Sequence, residues 1–283
     1  MFPPRFVYSL LPLLMLAAGD ALSLDLRFAG SDSLISISSV NKKKIVFLRA
    51  DELSTKLPVT VRRDVETGLI VLCTEFTCRA VFPMDKQEYL VQDSSEYVNA
   101  ERVIQSLGCT AVRSKKALLV NCEKTLSLNR VGSAVGDHAP GFQLRAQGDT
   151  VTTLDKLRAA GPVVLVFVRS GDWDPLSRML LTRLEAERSA FEAQTASIVA
   201  IHGYTAKDAR RWQDSLKVHV LLLSDNDSAV MRGFDVFDRG TLPHPTAFVI
   251  DHDGVIRFRQ NYENIEGPPD VGTLLDAVKK ARN

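Results

Sequence analysis

Four cysteines and one short stretch, Trp173-Asp174-Pro175-Leu176-Ser177, hold most of the chemistry this chain could perform. Cys73, Cys78, Cys109 and Cys122 all precede residue 130. An even number of cysteines behind an export leader reads first as structural disulfides. Cys109 and Cys122 flank a segment with Lys115-Lys116 at its middle; a two-residue turn there sets the two cysteines opposite each other across a hairpin. Cys73 and Cys78 flank Thr-Glu-Phe-Thr in the same way, with Glu75-Phe76 at the turn. The expected pairs are therefore Cys73–Cys78 and Cys109–Cys122, the second closing a loop of about 14 residues worth about 3 kcal/mol. The alternative role is a dithiol redox pair at Cys73 and Cys78, separable from a structural bridge by its ease of reduction. Zinc is disfavoured, because neither Cys-x-x-Cys nor His-x-x-x-His spacing occurs. No metal or cofactor is expected.

Asp174 before Pro175 is the signature of a helix start, with a carboxylate N-cap and proline at the first helical position. Capping outweighs a catalytic carboxylate here. Trp173 serves either as packing beside that corner or as the floor of a peptide groove. The five histidines, His138, His202, His219, His244 and His252, are scattered, and His244 and His252 read as exposed loop residues. Asp225-Asn-Asp-Ser228 lacks the glycine and terminal glutamate of a calcium loop and suits helix capping. Nucleophile-elbow, P-loop and dinucleotide-binding motifs are missing from the sequence.

The elements that would position these residues follow an apparent leader. Arg5 precedes the apolar run Phe6 to Ala18, and small residues follow at Ala17, Ala18, Gly19 and Ala21. That run is short for a bilayer span, so residues 1–21 are expected to be a cleaved signal peptide. The mature protein is then periplasmic or secreted, with no stable membrane insertion and an oxidising surrounding suited to disulfides. With 35 Lys and Arg against 34 Asp and Glu, the chain has no basic arm for nucleic acid. At 283 residues and 45% hydrophobic, it is long enough for two cores.

Residues 22–130 contain a repeat. Ala50 to Leu57 and Ala100 to Leu107 each read as a short helix between a preceding strand and a following β-hairpin. The hairpins turn at Glu66-Thr67-Gly68 and at Lys115-Lys116, and Cys73 matches Cys122. Gly108 stops the second helix. The pattern Tyr97-Val-x-Ala-x-x-Val-x-x-x-Leu-Gly108 followed by a hairpin resembles the copper amine oxidase N-terminal-like domain, a small α+β module. The resemblance implies a display or binding role and no copper, for want of ligands.

Residues 131–283 alternate strand and helix, which predicts an α/β layer fold. Val163 to Val168 is the central strand. A helix is expected over Pro175 to Gln194, burying Leu176, Met179, Leu180, Leu184 and Phe191. Strands follow at Ala196 to Ile201 and Val218 to Leu223, with a Thr205-capped helix between. Ala229 to Phe234 is a short helix, Thr246 to Ile250 pairs with Val255 to Arg259, and Asp270 to Arg282 closes the chain. Val135-Gly-Asp-His-Ala-Pro-Gly-Phe-Gln-Leu144, Gly161 to Arg169 and Leu242-Pro-His-Pro-Thr-Ala-Phe-Val-Ile-Asp251 resemble, in order, the opening motif, first core strand and cis-proline loop of AhpC/TSA redoxins.

That resemblance implies a thioredoxin-like fold and a cis bond before Pro245. Relatives of this subtype read Arg-Gly-x-Trp-Cys-Pro-x-Cys, where this chain has Arg169-Ser-Gly-Asp-Trp173-Asp174-Pro175-Leu176-Ser177. Asp174 and Ser177 stand at the two cysteine positions. A carboxylate cannot become a sulfenic acid, and a neutral alcohol is a poor nucleophile. The expectation is a degenerate, non-catalytic redoxin that holds a protein or peptide partner of the cell envelope. Its groove would lie between Trp173, Asp174 and Pro175 on one side and His244, Pro245 and Thr246 on the other. The alternative is an active antioxidant or thiol oxidoreductase using Cys73 and Cys78.

Overall fold

The computed structural model describes residues 22–28, 34–64, 67–113, 117–122, 131–146, 150–237, 242–262 and 270–282. The expected leader, the Lys115-Lys116 turn and part of the Glu66-Thr67-Gly68 turn lie outside them. No helix among the described residues is long and apolar enough to cross a membrane.

The N-terminal part is mostly β. Its elements are β1 (Leu22–Phe28), β2 (Leu34–Lys42), β3 (Ile45–Arg49), α1 (Ala50–Lys56), β4 (Thr60–Arg63), β5 (Ile70–Cys73), β6 (Cys78–Val81), β7 (Tyr89–Gln92), β8 (Ser95–Asn99), α2 (Ala100–Ser106), β9 (Cys109–Arg113) and β10 (Ala117–Cys122). The repeat is visible as β3-α1-β4-β5 and β8-α2-β9-β10. Seven strands form one sheet in the order β7-β8-β3-β2-β1-β10-β9, and β4-β5-β6 form a second. Both disulfides close cross-strand pairs. Cys109 is the register partner of Cys122, and Cys73 of Cys78.

The C-terminal part continues with β11 (Gln143–Ala146), β12 (Val151–Thr153), α3 (Leu154–Arg158), β13 (Val163–Phe167), α4 (Pro175–Ala186), α5 (Arg188–Glu192), β14 (Ser197–His202), α6 (Ala206–Leu216), β15 (Leu221–Ser224), α7 (Ala229–Gly233), β16 (Thr246–Ile250), β17 (Ile256–Asn261) and α8 (Val271–Ala281). Its sheet runs β12-β11-β15-β14-β13-β16-β17. Strands β13, β14 and β15 are parallel, β16 runs antiparallel to β13, and β17 antiparallel to β16. That order and those directions are the thioredoxin fold. Alternation on the central strands splits the core: Val164, Val166, Ala200 and Leu222 face α4, α6 and α8, and Leu165, Phe167, Ile201 and Leu223 face the other way.

Three expectations need correcting. The helix expected over Pro175 to Gln194 breaks at Glu187, whose ψ of 8° ends α4 before α5 begins. Met179 is 40% exposed, because Ser177, Leu180, Leu181 and Leu184 define the buried stripe and Met179 lies off it. The strand expected from Val218 starts only at Leu221. Val218 N–H bonds Gln213 O, His219 N–H bonds Glu185, and Val220 O accepts from Gln213, so these groups serve neighbouring helices rather than the ladder.

The small sheet β4-β5-β6 lies between the two parts. Val61, Ile70, Leu72 and Val81 belong to the N-terminal core, and Val71, Cys73, Cys78 and Ala80 pack with Phe167, Met231, Phe234 and Phe248. A Cβ added to Gly233 would come within 2.5 Å of Cys73 Sγ and closer still to Cys78 Sγ. One at Gly141 would overlap the backbone of Glu75 and Phe76. Polar bonds edge the junction: Thr60 Oγ1 donates to Val131 O at 2.8 Å, Gly141 N–H donates to Thr74 O at 2.9 Å, and Arg232 pairs with Asp64.

Candidate functional site

Strand β13 ends at the corner that the sequence marks out. Asp174 caps α4 with Pro175 at the helix start. Its Oδ2 accepts both the Ser177 N–H, at 3.0 Å, and the Ser177 hydroxyl. Ser177 Oγ in turn accepts from Arg169 N–H at 3.0 Å, tying the strand exit to the first helical turn. Asp174 is 4% exposed and Ser177 fully buried. The pair is a buried carboxylate–hydroxyl knot in which Asp174 Oδ2 takes both bonds from Ser177.

The facing loop is brought close by the sheet. Thr246 is the register partner of Phe167, and the Arg169 side chain donates from Nε to Pro243 O at 2.9 Å. Trp173 to Ser177 and His244 to Thr246 thus flank the same end of β13, as the sequence motifs imply. Pro245 and Thr246 are buried and His244 half-buried. The His244–Pro245 bond is trans, not cis. The trans form is intrinsically favoured, and Pro245 O here accepts from Tyr262 N–H at 2.8 Å, which adds a rung beyond the β16–β17 hairpin.

Trp173 remains half exposed and donates from Nε1 to Tyr204 Oη at 3.2 Å. Behind it lies an aromatic stack missed by sequence reasoning. Tyr204 meets fully buried Trp212 edge-on at 5.2 Å, and Trp212 meets His202 at 5.0 Å. His202 Nδ1 accepts from Tyr204 N–H at 3.1 Å. Burial pushes the imidazole down to about 4, so it is neutral near pH 7. The loop must run close to this stack, since a Cβ on Gly171 would overlap the Trp212 ring. Arg211 holds the loop from outside through Asp172, and Asp208 lies 3.2 Å from the same guanidinium. The available signal was the capped α6 pattern, which places Trp212 six residues after Ala206 on its inner face.

The sulfurs are elsewhere. Cys73 and Cys78 are buried against the sheet face that carries Leu165 and Phe167, whereas α4 packs on the face of Val164 and Val166. Among the described residues, no three His, Cys, Asp or Glu side chains are grouped to hold a metal ion. His252, at the β16–β17 turn, is exposed beside Asp253, at the far end of β16 from His244. Asp225 and Asp227 act as caps, Asp225 Oδ2 accepting from Met231 N–H and Asp227 Oδ1 from Ala229 N–H.

Residues 135–259 match the model of the AhpC/TSA family. The chain is similar to Peroxiredoxin Q, chloroplastic, of Oryza sativa subsp. japonica, at 28% identity over 130 residues. The same figures hold for the putative peroxiredoxin Q, chloroplastic, of Oryza sativa subsp. indica. Each alignment covers 44% of this chain and 58% of the relative, so the chain spans little more than half the length of the curated relatives it matches. Among solved structures, Peroxidoxin BcpB from Mycobacterium tuberculosis is 25% identical with a TM-score of 0.47, covering 53% of this chain and 98% of that one. Xanthomonas campestris peroxiredoxin Q is 19% identical with a TM-score of 0.46, covering 50% and 92%. A thioredoxin-fold sheet of the observed order and the family match coincide on the same residues, and the chain therefore carries an AhpC/TSA peroxiredoxin-family domain over residues 135–259.

Proposed function

We propose that the chain is an exported, degenerate redoxin that binds a protein or peptide of the cell envelope and has no peroxidase activity. The observation that carries this reading is the Asp174–Ser177 knot at the start of α4. Peroxide reduction needs a thiolate that attacks the O–O bond and is itself oxidised to a sulfenic acid, with water or an alcohol leaving. The two positions that the family motif assigns to sulfur hold a capping carboxylate and a buried hydroxyl. Trp173, exposed beside the Arg169-bridged loops, supplies an aromatic anchor for a partner. The N-terminal part, which resembles the copper amine oxidase N-terminal-like module, adds a second contact surface, and the leader delivers the mature protein to the periplasm or the exterior.

The competing thiol-oxidoreductase reading draws no support from the Cys73–Cys78 pair. It is buried under Gly233, on the sheet face away from α4. The test is hydroperoxide consumption by the purified mature chain with a dithiol reductant, alongside binding of a displayed peptide library to the wild type and to Trp173→Ala. No turnover, with peptide binding that Trp173→Ala abolishes, is the expected result. Turnover at the rate of an active peroxiredoxin ends the proposal.

A further inference from the structure

Where the two parts of the chain meet, two arginines converge on one serine. Arg62 Nη2, from β4, and Arg259 Nη1, from β17, each lie 3.3 Å from Ser133 Oγ. Arg259 also donates to Ser133 O at 3.2 Å and to Asp235 O at 2.8 Å. The one carboxylate in ion-pairing reach of this pair among the described residues is Asp235, with Oδ2 3.5 Å from Arg62 Nη1 and its side chain 59% exposed. A third cation, Arg232, is already matched by Asp64. The Asp235 carboxylate thus pairs with Arg62, while Arg259 meets only the Asp235 backbone carbonyl. The pKa of Arg259 is held below the usual arginine value, chiefly by burial and further by Arg62, with Asp235 opposing.

The same junction is hollow. Arg62 and Ser133 line a cavity of about 670 Å³ with Thr60, Val131, Gly132 and Asp137 among its walls, and Arg259 reaches Ser133 from outside that lining. The Asp137 carboxylate is engaged within its own loop, accepting from Ala134 N–H at 3.1 Å. Arginine presents five N–H donors in a planar fork that fits carboxylate and phosphate oxygens two at a time. Ser133 and Asp235 take two contacts from Arg62 and three from Arg259, which leaves N–H groups on each fork beyond those contacts. Ligand cavities also favour the seams between domains.

We propose that Arg62, Arg259 and Ser133 form a binding site for a small oxyanion, a phosphate or carboxylate group, at the seam between the two parts. The bound anion offsets the excess positive charge and bridges β4 to β17. It stands independently of the function proposed above, because none of these residues lies at the Asp174 corner.

The experiment is calorimetric titration and thermal unfolding of the full chain with inorganic phosphate, with acetate and with chloride, all at one ionic strength. Phosphate at about a hundred times its dissociation constant is expected to raise Tm by several degrees, about 5–10 °C, and chloride to have no such effect. Acetate distinguishes the sources: binding of both anions marks a carboxylate-tolerant site, and binding of phosphate alone marks a phosphate site. Arg62→Gln and Arg259→Gln are each expected to weaken binding at least about tenfold, the cost of one charged hydrogen-bonding partner. Should Arg259→Gln not fold, Arg62→Gln decides the matter. The proposal is overturned by equal effects of phosphate, acetate and chloride, or by unchanged phosphate binding in Arg62→Gln.

Discussion

Replacing Asp174 separates a capping role from a chemical one. Both hydrogen bonds at the corner end on a single oxygen, Asp174 Oδ2, which receives the Ser177 N–H and the Ser177 hydroxyl. Asparagine has one side-chain oxygen, and one is enough to accept both. Asp174→Asn therefore keeps the cap and loses only the favourable charge at the helix N-terminus, about 0.3–1 kcal/mol. Asp174→Ala loses the cap, about 0.5–2 kcal/mol, and strips a buried hydroxyl of its acceptor, about 1–3 kcal/mol. The two terms overlap, so a total of about 2–4 kcal/mol is expected, or a fall in Tm of about 4–16 °C for a domain of this size. Urea unfolding followed by far-ultraviolet dichroism and by tryptophan emission reads both variants, with coincident transitions as the check on two-state behaviour. A cost for Asp174→Asn equal to that for Asp174→Ala would show that the negative charge itself is needed, and the capping argument fails. A cost below about 0.5 kcal/mol for Asp174→Ala refutes it equally.

Two further perturbations test the packing around the site. Gly233→Ala places a methyl group against both sulfurs of Cys73–Cys78. It is expected to lower stability by about 1–3 kcal/mol, whereas an unobstructed glycine in a helix gains about 0.5–1 kcal/mol on becoming alanine, so a raised Tm rejects the close contact. His202, with a pKa near 4 in the fold against an ordinary value of 6.5, binds its proton more readily when unfolded. Its contribution is complete above pH 6.5 and is lost as pH falls towards 4, so His202→Gln should flatten the stability profile across that window in denaturant titrations at stepped pH. An unaltered slope means the imidazole is not kept neutral by burial.

The C-terminal fold was legible because its signals are local and repeated. Val163 to Val168 reads as a strand buried on both faces, Thr205 announces α6 with a capping box that also uses Asp208, and Asp174-Pro175 marks the start of α4. The cysteine pairs were legible for the same reason, since a hairpin with a short turn leaves one choice of partner. Errors fell where long-range contacts override the local pattern. Val218 and Val220 have strand-forming side chains, but their backbone bonds go to Gln213. His202 reads as one of five scattered histidines until β14 carries it beneath Trp212. The peptide bond before Pro245 is trans where the motif implies cis.

The seam between the two parts shows what an alternation pattern can and cannot say. Along β4, β5 and β6 the residues facing the N-terminal core are Val61, Ile70, Leu72 and Val81, and those facing the other way include Val71, Cys73 and Cys78. Ile70 to Cys73 is buried at every position. A continuous apolar run of that kind demands cover on both faces, yet nothing in its own sequence names the second cover. Here the cover is α7 and the redoxin sheet, and Gly233 is the residue that lets them approach. The Cys73–Cys78 bridge consequently joins two strands of the small sheet while its sulfurs pack in the core of the C-terminal part. Cys109–Cys122 closes an edge hairpin with one half-buried cysteine and touches only the N-terminal core. The two bridges share one repeat position, Cys73 matching Cys122, but Cys78 lies in β6 outside the repeat and the bridges differ in reach: loss of the first is expected to disturb the packing of β5 and β6 on the C-terminal part, and loss of the second only the part that contains it.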